Sequence, residues 1–432
     1  MKHVLIVSPR FPPVNAADMQ RVRMSLPHFR EFGWHPTVLA VTPTGDEVMD
    51  PVLELSLPAD VPVERARSFP AAWTRRIGIG DVALRAMPWL YRAGAQAIAR
   101  GAADLVYFST TAFLSMPLGR VWRARFGVPF VLDMQDPWLS DYYETHPDVA
   151  APPKYGLAHK LHSALEPWTM KRVGGLIAVS DAYIHTLRTR YPWIPEETCA
   201  TIPFAASDTD YTLLATHPQP NPLFAPGDGH LNAVYVGRGG DDMAPALRIL
   251  FEAVRDVRLA GPEAAARLRA FFVGTDYATD HRARKTVEPV AAQVGVDAVV
   301  TEQPGRVPYF QALQLMRDAD LLLLIGSDDP QYSASKAYPY LLARRPLVAV
   351  IHERSGLVPL LREAATVLVT FGDGDHAGAV TRLSDALRTL LANLPADVTL
   401  SERAEAACSA REMTRRQCEI FDRVLAQGRR SA

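Results

Sequence analysis

The sequence predicts an α/β protein made of two doubly wound parallel sheets in tandem, and three observations carry that prediction. Apolar runs of strand length recur along the chain, each followed by an amphipathic stretch of helical period, the alternation that builds a parallel sheet flanked by helices. At 432 residues the chain is too long for one ordinary core. A stretch rich in Pro, Asp and Thr without sustained periodicity, residues 207–230, divides the series into halves of similar size and reads as a linker.

In the first half, residues 1–206, His3 to Val7 reads as a strand and Ser8 to Ala17 as a Pro-rich loop. Asp18 to Phe32 reads as an amphipathic helix ended by Gly33, and Thr37 to Val41 as the next strand. No GxGxxG follows the first strand, so a dinucleotide fingerprint is excluded there. Residues 60–100 are irregular and then helical, and Pro88 is expected to interrupt any single long helix. Arg65, Arg67, Arg75, Arg76, Arg85, Arg92 and Arg100 are interleaved there with Trp73, Trp89 and Tyr91. A solvated outer helix would have this composition; the alternative is a surface for anionic lipid or an anionic acceptor. Strands return at Asp104 to Phe108 and Pro129 to Leu132, the second running into DMQDPWLSDYY. A helix from about Gly156 to Val173 leads to the strand GLIAV and to Ser180, a good N-cap for the helix after it.

The second half, residues 231–410, opens with the strand LNAVYVG and continues as helix 243–258, strand 270–273, helix 281–294, strand 297–301, helix 308–318 and strand 320–325. Tyr332 to Val350, YSASKAYPYLLARRPLVAV, then reads as a polar loop, a short helix opening at Ser335 or Lys336, a Pro346 stop and a buried strand. Helix 355–364, strand 366–370 and amphipathic helices at 377–393 and 401–428 complete the chain.

Composition narrows the function. A hydrophobic content of 48% with 22% charged residues is that of a globular protein, and a net charge of -1 argues against a general nucleic-acid binder. Cys199, Cys408 and Cys418 form neither a CxxC pair nor a disulfide framework, which points to a reducing cytoplasm. The opening MKHVLIVSPRFPP reads as a strand and turn, and no run reaches the roughly 18 apolar residues that span a bilayer.

Two doubly wound domains create a cleft between facing strand ends, and three places supply candidates for its lining. Gly237-Arg238-Gly239-Gly240 follows the first strand of the second half, where glycines admit a ligand to the backbone and Arg238 can grip phosphate bidentately. A tight turn alone would give the same four residues. Ser335-Lys336 opens a helix, whose unpaired N–H groups and added ammonium suit a phosphate. Asp133, Gln135 and Asp136 sit at a strand's C-terminal end, where paired carboxylates do acid/base work or hold Mg²⁺; Asp136 before Pro137 is equally ordinary turn chemistry. His159 and His162 lie three apart on one predicted helix but lack a third metal ligand, and His352-Glu353 follows a strand as either cleft lining or loop.

Over nearly its whole length the chain resembles the GT-B-fold glycosyltransferases, in particular the retaining family 4-like enzymes of bacteria. VLIVSPRFPP, VLDMQDPW, LIAVSDAY and TIPFA carry the resemblance in the first half; VYVGRGG, DADLLLLIG and SASKAYPYLLARRPLVAV carry it in the second. The resemblance implies two Rossmann-like domains facing a central cleft and a C-terminal helix, 411–432, that crosses back to the first. It implies transfer of a sugar from a nucleoside-diphosphate-sugar donor to a glycan, lipid-linked or small-molecule acceptor, with retention at the anomeric carbon and no metal or other cofactor. Arg238 and Lys336, with Gly237, Gly239 and Ser335, would hold the donor diphosphate, and Asp136 and Gln135 would lie near the transferred sugar. Pro339 stands where relatives hold ribose hydroxyls with a glutamate, and Gln331 where they carry a second glutamate. Asn15-Ala16-Ala17 replaces a glycine pair, and Asp241-Asp242-Met243 stands where a lysine is common. These departures keep open a catalytically silent GT-B-like binding subunit and a nucleotide-sugar epimerase. The expected location is the cytoplasm, with residues 65–100 as the surface for peripheral contact at the inner membrane face and no role for nucleic acid.

Overall fold

The computed structural model describes residues 2–45, 47–139, 155–261, 263–276, 283–329, 336–372, 374–394 and 398–430. The chain divides into two compact units, Met1–Phe204 with Ala410–Ala432, and Ala205–Ser409.

The first unit is built on a 7-stranded sheet of β1 (Lys2–Val7), β2 (Trp34–Val41), β3 (Val63–Ala66), β4 (Leu105–Ser109), β5 (Phe130–Met134), β6 (Gly175–Ala178) and β7 (Cys199–Thr201), in the order β3-β2-β1-β4-β5-β6-β7. The second holds a 6-stranded sheet of β8 (Leu231–Val236), β9 (Leu268–Val273), β10 (Val300–Gln303), β11 (Leu321–Ile325), β12 (Leu347–His352) and β13 (Val367–Phe371), in the order β10-β9-β8-β11-β12-β13. Neighbouring strands pair in parallel in both sheets. Helices cover both faces, so central strands such as LVYFS and LLLLI are buried at every position and read as unbroken apolar runs. In each sheet the strand order reverses beside the first strand, between β1 and β4 and between β8 and β11. The crevice beyond the strand C-termini at such a reversal is where open α/β sheets bind ligands.

Four local expectations change, one being the helix expected over 401–428, which divides at Ser409 into Glu402–Cys408 and Ala410–Arg430. The helix expected over Asp18–Phe32 is broken into Ala17–Met19, Gln20–Ser25 and Phe29–Phe32, because Pro27 supplies no N–H and cannot continue a helical turn. Pro88, expected to interrupt, sits inside one continuous helix, Val82–Ala99. Asp81 caps that helix through the Leu84 N–H, and Ala83, Ala86, Leu90 and Ala97 are buried along one face. Tertiary packing of that stripe outweighs a proline penalty of about 3 kcal/mol. Residues 207–230, expected to be an irregular linker, contain the helix Asp208–Thr216, which lies within the second unit. The Tyr211 hydroxyl donates to Pro339 O at 2.7 Å and the Tyr309 hydroxyl to Asp210 Oδ2 at 2.9 Å.

The helix Ala410–Arg430 packs in the first unit. Phe421 meets Trp34 edge-on at 5.3 Å and Tyr107 at 4.9 Å, and Gln417 donates to Ser25 Oγ at 2.9 Å. Val424 approaches so closely that a Cβ on Gly174 or Gly175 would lie 2.7 or 2.8 Å from its methyls. Among the described residues no helix is long and apolar enough to cross a membrane.

Candidate active site

At the reversal of the second sheet the chain leaves β8 as Gly237-Arg238-Gly239-Gly240 and wraps its own side chains. Gly237 (φ 154°) and Gly240 (φ 147°) occupy backbone conformations that a side chain disfavours. A Cβ on Gly237 would lie 2.9 Å from Lys336 Cδ, one on Gly239 would lie 2.3 Å from Thr286 Oγ1, and one on Gly240 would lie 2.5 Å from Asp242 Oδ1. The glycines therefore admit neighbouring protein groups to the loop.

Lys336 and Arg238 converge here. The Lys336 ammonium donates to the Tyr235 hydroxyl and lies 4.1 Å from the centroid of that ring, a cation–π contact; the same hydroxyl donates to Arg238 O. Burial, and then the Arg238 charge, pull the lysine well below its ordinary range, with Asp242 acting in the opposite direction. Arg238 donates to Asp242 as a fork, Nη1 to Oδ1 at 2.9 Å and Nη2 to Oδ2 at 2.7 Å. That fork outweighs the opposing desolvation and, with further help from the Ser327 hydroxyl, holds the Asp242 carboxyl below the usual carboxylate range.

Two supports hold this arrangement. The Tyr340 hydroxyl receives the Val236 N–H and donates to Val236 O at 3.0 Å, tying the helix Ala337–Leu342 to the end of β8. Glu302 is buried; its Oε1 accepts from the Thr275 hydroxyl and, at 3.0 Å, from Thr286 N. Its Oε2 accepts from Val287 N and Glu288 N, each at 2.9 Å, and Thr275 O in turn receives the Gly239 N–H at 2.7 Å. Beyond β11 and β12, Ser327, Asp329, His352 and Ser355 line a shallow hollow that opens to solvent. His352 Nδ1 accepts the Arg354 N–H at 3.1 Å, a bond within its own loop.

At the reversal of the first sheet the carboxylate Asp18 is buried and collects donors: Arg10 Nη1 at 3.1 Å, Thr110 Oγ1 at 2.8 Å and Thr111 N at 3.2 Å. Asp133 is fully buried, paired with Arg21 Nε at 2.8 Å and bonded by Ser109 Oγ at 2.7 Å and Tyr107 Oη at 3.2 Å. Gln135 Nε2 donates to Asp18 O, to Ser109 Oγ and to Asp133 Oδ2.

The expected pairing of Asp133 with Asp136 as an acid/base or Mg²⁺ site is therefore overturned: Asp133 is committed to an arginine inside the sheet, while Asp136 is exposed. Gln135 is buried as part of the Asp133 network. Desolvation and then the Asp18 charge raise the Asp136 carboxyl. The short helix begins at Ala337 after Lys336, whose side chain does not cap it but reaches the Tyr235 hydroxyl instead. Ser335 and Gln331 lie outside the described residues. Pro339 lies within that helix, its carbonyl taken by Tyr211. His162 Nδ1 accepts from Trp138 Nε1 at 2.6 Å, and among the described residues no third ligand joins it and His159. Sequence reasoning missed Asp18, Tyr235, Ser327, Tyr340 and Glu302, although Tyr235 and Tyr340 lie within segments it singled out.

Residues 20–205 match the family described as glycosyl transferase 4-like domain. No curated protein matches the chain. Among solved structures, HepE of Anabaena in complex with UDP superposes with a TM-score of 0.52 at 16% identity, covering 100% of this chain and 99% of that one. The complex of HepE with UDP-glucose gives 0.51 at 15% identity, covering 99% and 98%. A UDP-forming α,α-trehalose-phosphate synthase from Burkholderia xenovorans gives 0.53 at 14% identity, covering 100% and 98%. At this identity the likeness speaks for the fold, which is that of the GT-B glycosyltransferases. The match to the glycosyl transferase 4-like domain falls, but for its last residue, within the first unit and covers less than half of the chain.

Proposed function

We propose that the protein moves a sugar from a nucleoside-diphosphate-sugar donor to an acceptor hydroxyl, with the second unit holding the donor. One observation carries this reading: Arg238 and Lys336 converge over a glycine loop at the sheet reversal, where a diphosphate would meet both cations. The UDP and UDP-glucose held by HepE favour a uridine donor. In the transfer, the bond from the anomeric carbon to the β-phosphate oxygen breaks and the acceptor oxygen bonds to that carbon. The acceptor proton passes to the leaving phosphate, and a nucleoside diphosphate departs. Charge grows on the phosphate as the bond breaks, so fixed cations there favour the transition state over the ground state. Family resemblance supports retention and a reaction without metal. Asp136, the exposed carboxylate at the end of β5, is the group we assign to a hydroxyl of the sugar or acceptor.

Among glycan, lipid-linked and small-molecule acceptors, the exposed residues after β3 favour a lipid-linked one, met at the inner membrane face. Phe69, Trp73 and Ile77 are 48%, 69% and 75% exposed beside Arg67 and Arg76, with no acidic residue from 67 to 80. Most of the wider 65–100 stretch does not contribute: Arg85 is buried, Arg65 and Arg100 pair with Glu54 and Glu64, and Trp89 and Tyr91 pack on the core. The test is a panel of nucleotide-sugars scored for release of nucleoside diphosphate and formation of a glycosylated acceptor, with sedimentation of anionic vesicles beside it. Turnover that stops in Lys336→Ala is the expected result; no binding of any nucleoside diphosphate at millimolar concentration overturns the reading.

A further inference from the structure

We infer that Asp242 acts as an internal stand-in for a donor phosphate, so that the diphosphate enters by displacing its carboxylate from Arg238. The inference rests on the donor-binding reading above and concerns how that site is set. It starts from geometry. A carboxylate offers an arginine the same two-oxygen edge that a phosphate does, and Asp242 presents both oxygens to both terminal nitrogens of Arg238 at 2.9 and 2.7 Å. The pair lies over Gly240, where a Cβ would come 2.5 Å from Asp242 Oδ1 and 3.2 Å from Arg238 Nη1, so the loop is shaped to let the two side chains meet.

The other cation is also satisfied from within. Lys336 rests on the face and hydroxyl of Tyr235, and that hydroxyl donates a hydrogen bond to Arg238 O. Both cations are thus paired from within the protein. Adding a diphosphate to this arrangement brings like charge against Asp242, whereas exchanging the carboxylate for phosphate keeps each guanidinium bond.

The exchange leaves Asp242 with somewhere to go. Its side chain is 34% exposed, and the Ser327 hydroxyl already bonds it. Asp328 N donates to Asp242 O at 2.8 Å, so the backbone stays anchored while the carboxylate turns. Asp242 therefore sets the affinity of the site: it keeps Arg238 occupied and lowers the hold on any diphosphate, substrate or product. A site that binds its product less tightly releases it sooner.

The experiment measures UDP binding by titration calorimetry to the full chain, wild type and Asp242→Asn. Asparagine keeps the shape and removes the charge, so the expected result is a five- to tenfold lower Kd, with Asp242→Glu close to wild type. Ser327→Ala removes the carboxylate's second partner and should raise Kd about twofold, which provides an independent reading if Asp242→Asn does not fold. Equal or weaker binding of UDP by Asp242→Asn, with its melting temperature unchanged, overturns the inference and shows Asp242 to be an orienting group for Arg238. Should neither protein bind UDP or any other nucleoside diphosphate, the donor-binding reading falls, and this one with it.

Discussion

The two sheet reversals share a strand order and differ in how their charges are settled. At the first, the two carboxylates Asp18 and Asp133 are enclosed by protein: Asp133 and Arg21 face each other at 0% exposure, and Asp18, 3% exposed, accepts from Thr110, Thr111 and an Arg10 that itself reaches solvent. At the second, Arg238 is 24% exposed and answered by a carboxylate that is itself 34% exposed, and Lys336 is answered by an aromatic ring. Topology alone thus supplies a crevice in both places, and what distinguishes them is whether the protein has already spent its polar partners. An enclosed pair fixes shape; a half-open pair can trade its partner for a ligand.

The comparison can be broken or sharpened in four ways. The largest effect is expected from Arg21→Met, which leaves Asp133 buried without its counter-charge; about 3–5 kcal/mol of stability should be lost, read as a lower denaturation midpoint. Binding of UDP by the second unit should survive at temperatures where the variant remains folded. Lys336→Ala should lower kcat/KM about 10²–10³-fold, or about 2.7–4 kcal/mol, with little change in melting temperature, because an interaction of the transition state is removed. Glu302→Ala strips the acceptor from the Thr275 hydroxyl and several N–H groups and should cost about 1–3 kcal/mol. It should also raise the donor KM through Gly239, with Glu302→Gln recovering part of both.

The smallest effect concerns Asp136. Its carboxyl is raised in the folded protein, so it favours folding fully only below its unfolded value, and that contribution is lost as pH rises through the folded one. Asp136→Asn should therefore stabilise slightly at neutral pH. If the charged form serves the reaction, kcat/KM should fall on the acid side through a pKa above the ordinary aspartate value, and the variant should lack that limb.

Much of the scaffold was legible because periodicity is local. The strand runs, the Ser180 cap, Arg238 after β8 and Lys336 at a helix start all follow from neighbours in sequence. The Arg238–Asp242 fork is also local, an i,i+4 pair, yet the sequence does not say whether such a pair closes a site or decorates a turn. What remained hidden depends on sheet order: Tyr340 reaches Val236 and Glu302 reaches Thr275 only because distant strands are neighbours. A signal for Gln135 was present and unused. Side chains alternate along a strand, so Asp133 and Gln135 share one face and Asp136 turns to the other. Reading that parity would have separated the buried carboxylate from the exposed one.

The return of residues 410–430 into the first unit bears on how the protein is made. Phe421, Gln417 and Val424 close the wall against Trp34, Ser25 and the glycines at the start of β6, contacts that span nearly the whole sequence. During synthesis, the half that leaves the ribosome first must wait with that apolar wall uncovered until the final helix emerges, while the second half can finish folding ahead of it. Nascent chains stalled before residue 410 should accordingly bind chaperones through their earliest portion.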